Sequence, residues 1–166
     1  MSTPNIVMAP DERLVHGQGQ LWIKALGVNT VIVADDEAAA DPMAQTLMKT
    51  VIPNNIAMRF FTVQKVIDII HKAAPAQTIF LIVKNPANAL RLVEGGVPIT
   101  ELNVGNIHNA DGKEKVTRSI FVGPEDKAAI IEMADKYGVT FNTKTTPSGA
   151  DGTVEVDLVA FCKQSA

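Results

Sequence analysis

Residues 11–18 bring a histidine, an arginine and two carboxylates together between two segments of different character. The stretch reads DERLVHGQ, and it separates the apolar run NIVMA from the amphipathic run QLWIKALG. Histidine is the side-chain type that titrates near neutral pH, so His16 can present an unprotonated ring nitrogen as a nucleophile. Arg13 is a permanent planar cation that suits a phosphoryl group or a carboxylate. Such a pair could serve transient phosphorylation of an imidazole.

The glycines that follow the histidine favour an anion at the same point. Gly17 and Gly19 carry no side chain, so backbone N–H groups can approach a ligand where a helix is expected to begin. The motif GQG is shorter than a Walker loop or a dinucleotide fingerprint and matches neither. From residue chemistry alone, a functional His16 and a solvated or helix-capping His16 remain open alternatives.

Other reactive side chains follow the later strands of the pattern. Asp35 and Asp36 could hold a metal or cap a helix, and capping is the favoured role. Lys84 could assist an anion or be solvated, and His108 could line a site or lie on the surface. His71 lies on an amphipathic segment and is expected to face solvent.

Short apolar runs alternate with amphipathic segments and predict the strands. The predicted strands are residues 5–9, 30–35, 57–62, 78–83, 99–104, 118–122 and 139–144. The second and fourth runs are almost wholly apolar and rich in β-branched residues, which is typical of parallel strands buried on both faces. The sequence therefore predicts an α/β fold with an open, mostly parallel seven-stranded sheet and helices on both faces.

Helix signals occupy the intervals between these runs. Asp41, followed by a proline, predicts a helix start, and Thr62 predicts another. Residues 124–138 begin with a proline and end with a glycine, as a helix does. Residues 151–164 are ambiguous between helix and strand, and residues 145–152 are predicted to form a mobile loop. The apolar face predicted after Asp41 consists of Met43, Leu47, Met48 and Val51.

Parallel strands bring their carboxyl ends to one edge of a sheet, where ligands bind in such folds. The loops expected at that edge are residues 10–18, 35–41, 84–86 and 105–113. The first of them has the richest chemistry.

Length, charge and cysteine content restrict the class of protein. A chain of 166 residues is expected to form a single domain spanning residues 1–166. The net charge of −3, with interspersed signs, argues against nucleic acid as a partner. Cys162 has no cysteine partner, so it is expected to be inert packing in a reducing cytoplasm. The first ten residues, MSTPNIVMAP, have no basic region and no long apolar run, so no signal peptide is expected, and no stretch approaches the roughly 18 apolar residues of a membrane span.

The stretch DERLVHGQ resembles the active-site loop of the IIB components of the mannose/sorbose family of the bacterial phosphoenolpyruvate-dependent sugar phosphotransferase system. The loop of that family runs approximately Asp-(Asp/Glu)-Arg-Leu-(Ile/Val)-His-Gly-Gln. The likeness continues through ADDEAAADP, LVEGGVPITELNVGN and GKEKVTRSIFVGPED. The segments RFFTVQKVIDIIHKAA and NVGNIHNADGK are most similar to the N-acetylgalactosamine/galactosamine branch. Pro10 and Gly19 depart from the pattern, and they would stiffen the loop entry and loosen its exit.

The resemblance implies an enzyme, a protein-phosphohistidine–sugar phosphotransferase. Such a domain accepts a phosphoryl group from a phosphohistidine of a IIA partner and passes it to a sugar carried by IIC and IID membrane permease components. His16 corresponds to the phosphorylated histidine, and Arg13 to the arginine that neutralises the phosphoryl group. Asp11, Gly17 and Gln18 would support the loop.

The resemblance also sets expectations for the surroundings of the loop. Asp36, Lys84 and His108 are secondary site candidates on the residue chemistry, because their loops are expected at the same edge of the sheet. No metal or cofactor is expected, because Arg13 can supply part of the stabilisation that magnesium supplies in kinases. The expected sugar is N-acetylgalactosamine or galactosamine, with mannose, sorbose or fructose as alternatives. The expected location is the cytoplasm, in association with the membrane permease.

Two other functions remain as alternatives. A receiver-like domain phosphorylated on Asp35 or Asp36, with Lys84, would require magnesium and form an acyl phosphate that hydroxylamine cleaves. A small-ligand or nucleotide-binding module using residues 10–18 would bind nucleotide and never gain covalent phosphate.

Overall fold

A computed structural model describes residues 5–10, 14, 19–74, 76–144 and 155–165. The strands are β1 (Asn5–Pro10), β2 (Thr30–Ala34), β3 (Ala57–Phe61), β4 (Thr78–Val83), β5 (Glu101–Asn103), β6 (Glu114–Thr117), β7 (Ile120–Val122) and β8 (Thr140–Asn142). The helices are α1 (Gly19–Leu26), α2 (Asp36–Ala39), α3 (Pro42–Lys49), α4 (Val63–Ile69), α5 (Pro86–Glu94), α6 (Pro124–Tyr137) and α7 (Leu158–Gln164), with a 3-10 helix at Ile70–Lys72.

Within the described residues, six strands form one parallel sheet in the order β3-β2-β4-β1-β5-β8. The pairing of β1 with β4 runs without a break from Asn5 opposite Thr78 to Pro10 opposite Val83. The pairings of β2 with β3 and with β4, and of β5 with β8, are also parallel. The predicted α/β class and the open parallel sheet are therefore confirmed.

The prediction of a seventh strand in this sheet is wrong for the part of the chain that the structure describes. Residues 118–122, predicted as that strand, contribute β7 to a separate antiparallel hairpin with β6. Thr117 pairs with Ile120 across a tight turn, so the hairpin satisfies its backbone hydrogen bonds locally. Ile107 bridges to Ile120 and connects the hairpin to the chain that leaves β5.

Alternate residues of β2 and β4 point to opposite faces of the sheet, and both faces are covered. On one face, α1, α2 and α3 pack on the strands, with a buried cluster that includes Ile23, Val31, Val33, Met48, Phe80 and Ile82. On the other face, α4, α5 and α6 pack, with a cluster that includes Ile32, Val66, Leu81, Leu92, Ala129 and Met133. Burial on both faces explains why these two strands read as continuous apolar runs.

A third cluster lies beside the sheet and includes the hairpin. It joins α6, α7 and the hairpin through Val104, Ile107, Ile120, Ile130, Leu158 and Cys162. The ambiguous segment 151–164 is thus helical over Leu158–Gln164, and residues 155–157 lead into this helix. Residues 151–154 and the predicted loop 145–152 lie outside the described residues. Phe141 packs against both this cluster and the α4–α6 cluster.

The predicted helix boundaries have the expected capping bonds. The Asp41 carboxylate accepts hydrogen bonds from the N–H groups of Met43 and Ala44, both at 3.1 Å. The Thr62 hydroxyl accepts from the Lys65 N–H at 3.1 Å. Gly138 ends α6 with a φ of 67°, a left-handed conformation that glycine adopts without steric cost. Among the described helices, none combines the length and the apolar character that crossing a membrane requires.

Candidate functional site

The carboxyl end of β1 lies in the middle of the sheet, between β4 and β5. Pro10, the last residue of β1, is opposite Val83, and Met8 is opposite Leu102. The chain leaves β1 through α1, which packs on one face, and leaves β5 towards α6, which packs on the other. The crevice beside β1 is therefore a topological switch point, where open α/β sheets bind ligands.

The predicted phosphoryl-accepting motif connects β1 to α1. Asp11, Arg13, His16, Gly17 and Gln18 lie outside the described residues, so their predicted roles stay predictions. The described flanks are Pro10, which ends β1, and Gly19, which begins α1. The motif thus runs from the carboxyl edge of the sheet to the first turn of a helix.

Leu14 is the one described residue within this connection. Its φ is 56°, in the left-handed region that branched side chains rarely occupy. Its side chain is half-buried and packs against the cluster that α1, α2 and α3 share. Leu14 therefore holds a strained backbone in place with an apolar contact, directly after Arg13 and two residues before His16.

The two aspartates after β2 bind backbone N–H groups. Asp35 is buried, and its Oδ2 accepts a hydrogen bond from the Ala38 N–H at 3.0 Å as the N-cap of α2. Asp36 is exposed, and its Oδ1 accepts from the Val63 N–H at 3.0 Å. Capping, the role that the sequence favoured for them, is confirmed for Asp35, and Asp36 ties the start of α4 to the end of β2.

Exposed charges of both signs surround the ends of β2 and β4. The Lys84 Nζ lies 3.7 Å from Glu37 Oε2, and the Arg91 Nη1 lies 3.8 Å from Asp36 Oδ2. Sequence reasoning missed Arg91, because a position in the middle of helix α5 does not indicate that the side chain reaches the end of strand β2. Exposed pairs of this kind are weak and exchange readily with other partners.

The loop after β5 brings two polar residues to the same edge of the sheet. His108 is exposed, which agrees with the second of its two predicted roles, a position on the surface. Asn106 has a buried Oδ1 that finds no hydrogen-bond partner among the described residues, which is unusual for a buried amide oxygen. Sequence reasoning missed Asn106, although the Gly/Asn composition of residues 105–113 was a signal for an irregular loop at this edge.

The remaining candidate residues take structural positions. His71 is exposed, as predicted. Trp22 is half-buried against the cluster that α1 contributes to. Cys162 is fully buried, and burial raises the pKa of its thiol from 9.0 to about 11. This thiol is inert packing, as the sequence predicted.

The predicted apolar face of α3 is divided in the structure. Met48 is buried and Val51 is half-buried, but Met43 and Leu47 expose 76% and 65% of their surface. The prediction of one common packing face is wrong for these two residues, because α3 contacts the sheet through its other side. Met43 lies in the first turn of α3, which starts at the carboxyl edge of the sheet.

Metal ligation receives no support from the described side chains. Among them, no group of three or more His, Cys, Asp and Glu residues is arranged to hold a metal ion.

The topology defines the class: an α/β protein with a parallel sheet and a ligand edge at the carboxyl end of its central strand. The family model described as the sorbose subfamily IIB component of the phosphotransferase system matches residues 6–165. The chain belongs to this family of phosphotransferase-system IIB components.

Relatives with known names agree with this assignment. In Escherichia coli strain K12, the N-acetylgalactosamine-specific phosphotransferase enzyme IIB component 2 is 50% identical over 132 residues, 78% of this chain and 84% of that protein. The crystal structure of a Streptococcus pyogenes N-acetylgalactosamine IIB component has a TM-score of 0.92 and 57% identity, covering 97% of this chain and 99% of that chain. The mannose-specific EIIAB component of Escherichia coli strain K12 is 37% identical over 125 residues, 74% of this chain and 39% of that protein. The expected family, and the likeness to its N-acetylgalactosamine-specific members, are confirmed.

Proposed function

We propose that this chain is a phosphoryl carrier in which His16 accepts a phosphoryl group from a IIA phosphohistidine and donates it to a sugar. The observation that supports this proposal is the position of the motif in residues 11–18, between the carboxyl end of a central strand and α1 in a IIB-family chain. The chain performs this role as a single domain over residues 1–166.

The chemistry consists of two transfers at phosphorus. In the first, a ring nitrogen of His16 attacks, a new P–N bond forms, and the P–N bond to the imidazole of the donor breaks. In the second, the oxygen of a sugar hydroxyl attacks phosphorus, a P–O bond forms, the P–N bond to His16 breaks, and the released imidazole nitrogen takes up the hydroxyl proton. Arg13, with the N–H groups at Gly17 and the start of α1, stabilises the charge on the equatorial phosphoryl oxygens.

The described charges beside the loop are suited to supporting roles. Lys84 pairs with Glu37 at 3.7 Å while 42% of its side chain stays exposed, so it can turn towards an incoming anion at small cost. Asp36 is engaged by Arg91 and by the Val63 N–H, and it orders the neighbouring loop. His108 lies on the part of the carboxyl edge that would contact the IIA partner, and Asp11 and Gln18 hold the 10–18 loop.

The names of the relatives support a proposal for the sugar and for the partners. The IIB relatives from Escherichia coli and Streptococcus pyogenes carry N-acetylgalactosamine in their names, so we propose N-acetylgalactosamine or galactosamine as the substrate. The name EIIAB of the mannose-specific relative suggests a IIA donor as the direct partner. IIC and IID permease components would present the sugar at the cytoplasmic face of the membrane.

The receiver-like alternative has weaker support. Asp35 is buried and occupied as a helix cap, and Asp36 accepts from the Val63 N–H. A receiver aspartate must instead be open to the phosphoryl donor and to a magnesium ion.

The test is covalent phosphorylation followed by intact mass measurement. The chain is incubated with phosphoenolpyruvate, the general phosphotransferase proteins and a IIA partner. We expect the mass of one phosphoryl group to be added, in a form that acid cleaves and alkali leaves intact, as for a phosphoramidate. His16→Ala should fold normally and gain no phosphate, and His71→Ala, an exposed histidine elsewhere, should be phosphorylated like the wild type.

Full phosphorylation of His16→Ala would overturn the assignment of the nucleophile. A product that alkali cleaves would favour an acyl phosphate on an aspartate instead. Saturable nucleotide binding without covalent phosphate would favour the binding module.

A further inference from the structure

A groove of about 350 Å³ lies between the edge strand β3 and the helix α4, on the α4–α6 face of the sheet. Its floor is apolar: Ile32, Val66 and Ile79 are buried there, and Phe61 and Ile69 are half-buried. Because β3 is the last strand in the sheet order, no further strand of the described chain closes the outer side of the groove.

Three exposed cations line this apolar floor. Arg59 comes from β3, Lys65 from the first turn of α4, and Lys72 from the end of the 3-10 helix. Within the described part of the chain, none of the three makes an ion pair with a carboxylate, whereas Lys84, Lys113, Lys127, Lys163 and Arg91 each do. Three cations without a carboxylate partner among the described residues therefore give this groove a local positive charge in a chain whose net charge is −3.

The Arg59 side chain keeps most of its hydrogen-bonding capacity for a ligand. Its Nη1 donates to the Met58 carbonyl at 2.9 Å, which orients the guanidinium along the edge strand. A guanidinium has five N–H donors in a planar fork, so the remaining donors can bind a carboxylate bidentately. Lys65 and Lys72 add point charges along the opposite wall.

We propose that this groove binds a short segment of a partner protein in which acidic and apolar residues alternate. The carboxylates would meet Arg59, Lys65 and Lys72, and an apolar side chain would cover the floor. The open outer side favours an extended chain that passes through the groove, because small-ligand pockets enclose most of their ligand.

The groove reaches the amino ends of the strands, away from the proposed phosphoryl-transfer edge. Thr30 and Ala57 begin β2 and β3, Gln77 precedes β4, and all three line the groove. A partner segment could therefore stay bound here while the carboxyl edge exchanges its own partners. The binding itself does not depend on the phosphoryl-transfer proposal.

The test is a titration of the full chain into a fluorescent six-residue peptide of alternating Glu and Leu, followed by fluorescence anisotropy. We expect saturable one-to-one binding that weakens with salt, and no binding of a peptide with Lys in place of Glu. The triple variant Arg59→Gln/Lys65→Gln/Lys72→Gln should bind at least about tenfold more weakly.

A matched triple variant controls for net charge. Lys24→Gln/Lys115→Gln/Arg118→Gln removes the same charges from exposed positions outside the groove and should bind like the wild type. Both triple variants should gain phosphate like the wild type, so a failure of the phosphoryl-transfer proposal would be seen separately.

A groove-filling variant tests the apolar floor. Ala73→Phe keeps every charge and places a ring in the groove, so it should also weaken the peptide by at least about tenfold. Equal peptide binding by Ala73→Phe and by the wild type would show that surface charge alone binds the peptide, and this result would overturn the proposal. Absence of peptide binding would also overturn the proposal. If anionic phospholipid vesicles bound the chain in that case, the ligand of the groove would be a lipid surface instead.

Discussion

At the scale of single residues, Leu14 links the core to the proposed site. A leucine with a φ of 56° costs about 1–2 kcal/mol relative to an ordinary backbone, and strain of this kind accumulates at functional sites. The contact of Leu14 with the α1–α3 cluster offsets this cost and holds Leu14 in the left-handed conformation. Sequence motifs predict which side chains perform chemistry, but a left-handed leucine has no signature in the sequence.

Arg13→Lys tests the electrostatic part of the proposed transfer. The variant should still gain phosphate, but about 10²–10³ times more slowly, because a point charge replaces a bidentate fork at the developing charge. Rapid-quench kinetics with phosphorylated IIA measures the rate. Thermal unfolding of the variant should match the wild type, and wild-type kinetics would instead make Arg13 a structural residue.

Cys162 predicts a pH dependence of stability. Burial raises the pKa of its thiol from 9.0 to about 11, so the unfolded chain loses this proton first as the pH rises. The free energy of unfolding should therefore fall between pH 9 and 11, and this contribution is fully present below that window. Urea unfolding against pH measures the effect.

Cys162→Ala is the control for this dependence, because it lacks the titrating thiol. Its unfolding free energy should fall less over the same window than that of the wild type. Parallel curves for the two proteins would show that burial of this thiol does not affect stability through pH.

At the scale of elements, the sequence predicted buried segments more accurately than exposed ones. The predicted bounds of β2 and β4 are correct to within one residue, because strands covered on both faces are apolar throughout. The strand β6 was missed since EKVT is polar and half-exposed. The short helix α2 was taken for a loop because four residues are too few for a periodic pattern.

The helix α3 shows the limit of periodicity as a guide to packing. Its apolar residues are spaced as a core face would be, but Met43 and Leu47 are left exposed beside the carboxyl edge. An exposed apolar pair next to a site that must contact other proteins is typical of a docking surface. Periodicity alone cannot distinguish such a surface from a core face, because both bury apolar side chains in the assembled state.

Met43→Gln/Leu47→Gln tests this docking role. Stability should change by no more than about 0.5 kcal/mol, since both side chains are already in water. The KM for phosphorylated IIA should rise about tenfold, because apolar contact area is lost at the interface. Steady-state phosphorylation and urea unfolding measure the two effects.

Met48→Ala is the matched control on the same helix. It removes a buried side chain and should cost about 2–5 kcal/mol of stability, without changing the KM of the folded protein for IIA. An unchanged KM in the exposed pair variant would exclude α3 from the interface.

At the scale of the whole molecule, strand alternation predicted the parallel sheet and the loops at its carboxyl edge. It did not predict the strand order, or that 118–122 would leave the sheet for a hairpin, since both depend on contacts between distant residues. Within the candidate site, His16 and Arg13 were proposed from the local motif. Arg91 could not be, because only folding brings its side chain to the carboxyl edge. Asn106 lies in a loop already expected at that edge, but the burial of its amide oxygen depends on contacts that the sequence does not indicate.

The last prediction concerns the face that meets the IIA donor. The proposed transfer between two histidines would require the 10–18 loop at the centre of the contact, which makes the carboxyl edge the expected docking face. The exchange is rapid and repeated, which favours a small interface and micromolar or weaker affinity. The net charge of −3 provides little long-range steering, so the affinity should depend only modestly on salt.

Titration of unphosphorylated IIA into isotope-labelled chain should therefore shift the amide signals of Asp36, Leu47 and His108. Signals of Thr30 and Ala57, which begin their strands at the opposite edge, should stay in place. This division follows from the parallel sheet, because no element of one edge can reach a partner docked on the other. Shifts restricted to Thr30, Ala57 and their neighbours would place the donor at the amino edge, too far from the end of β1 for the proposed transfer.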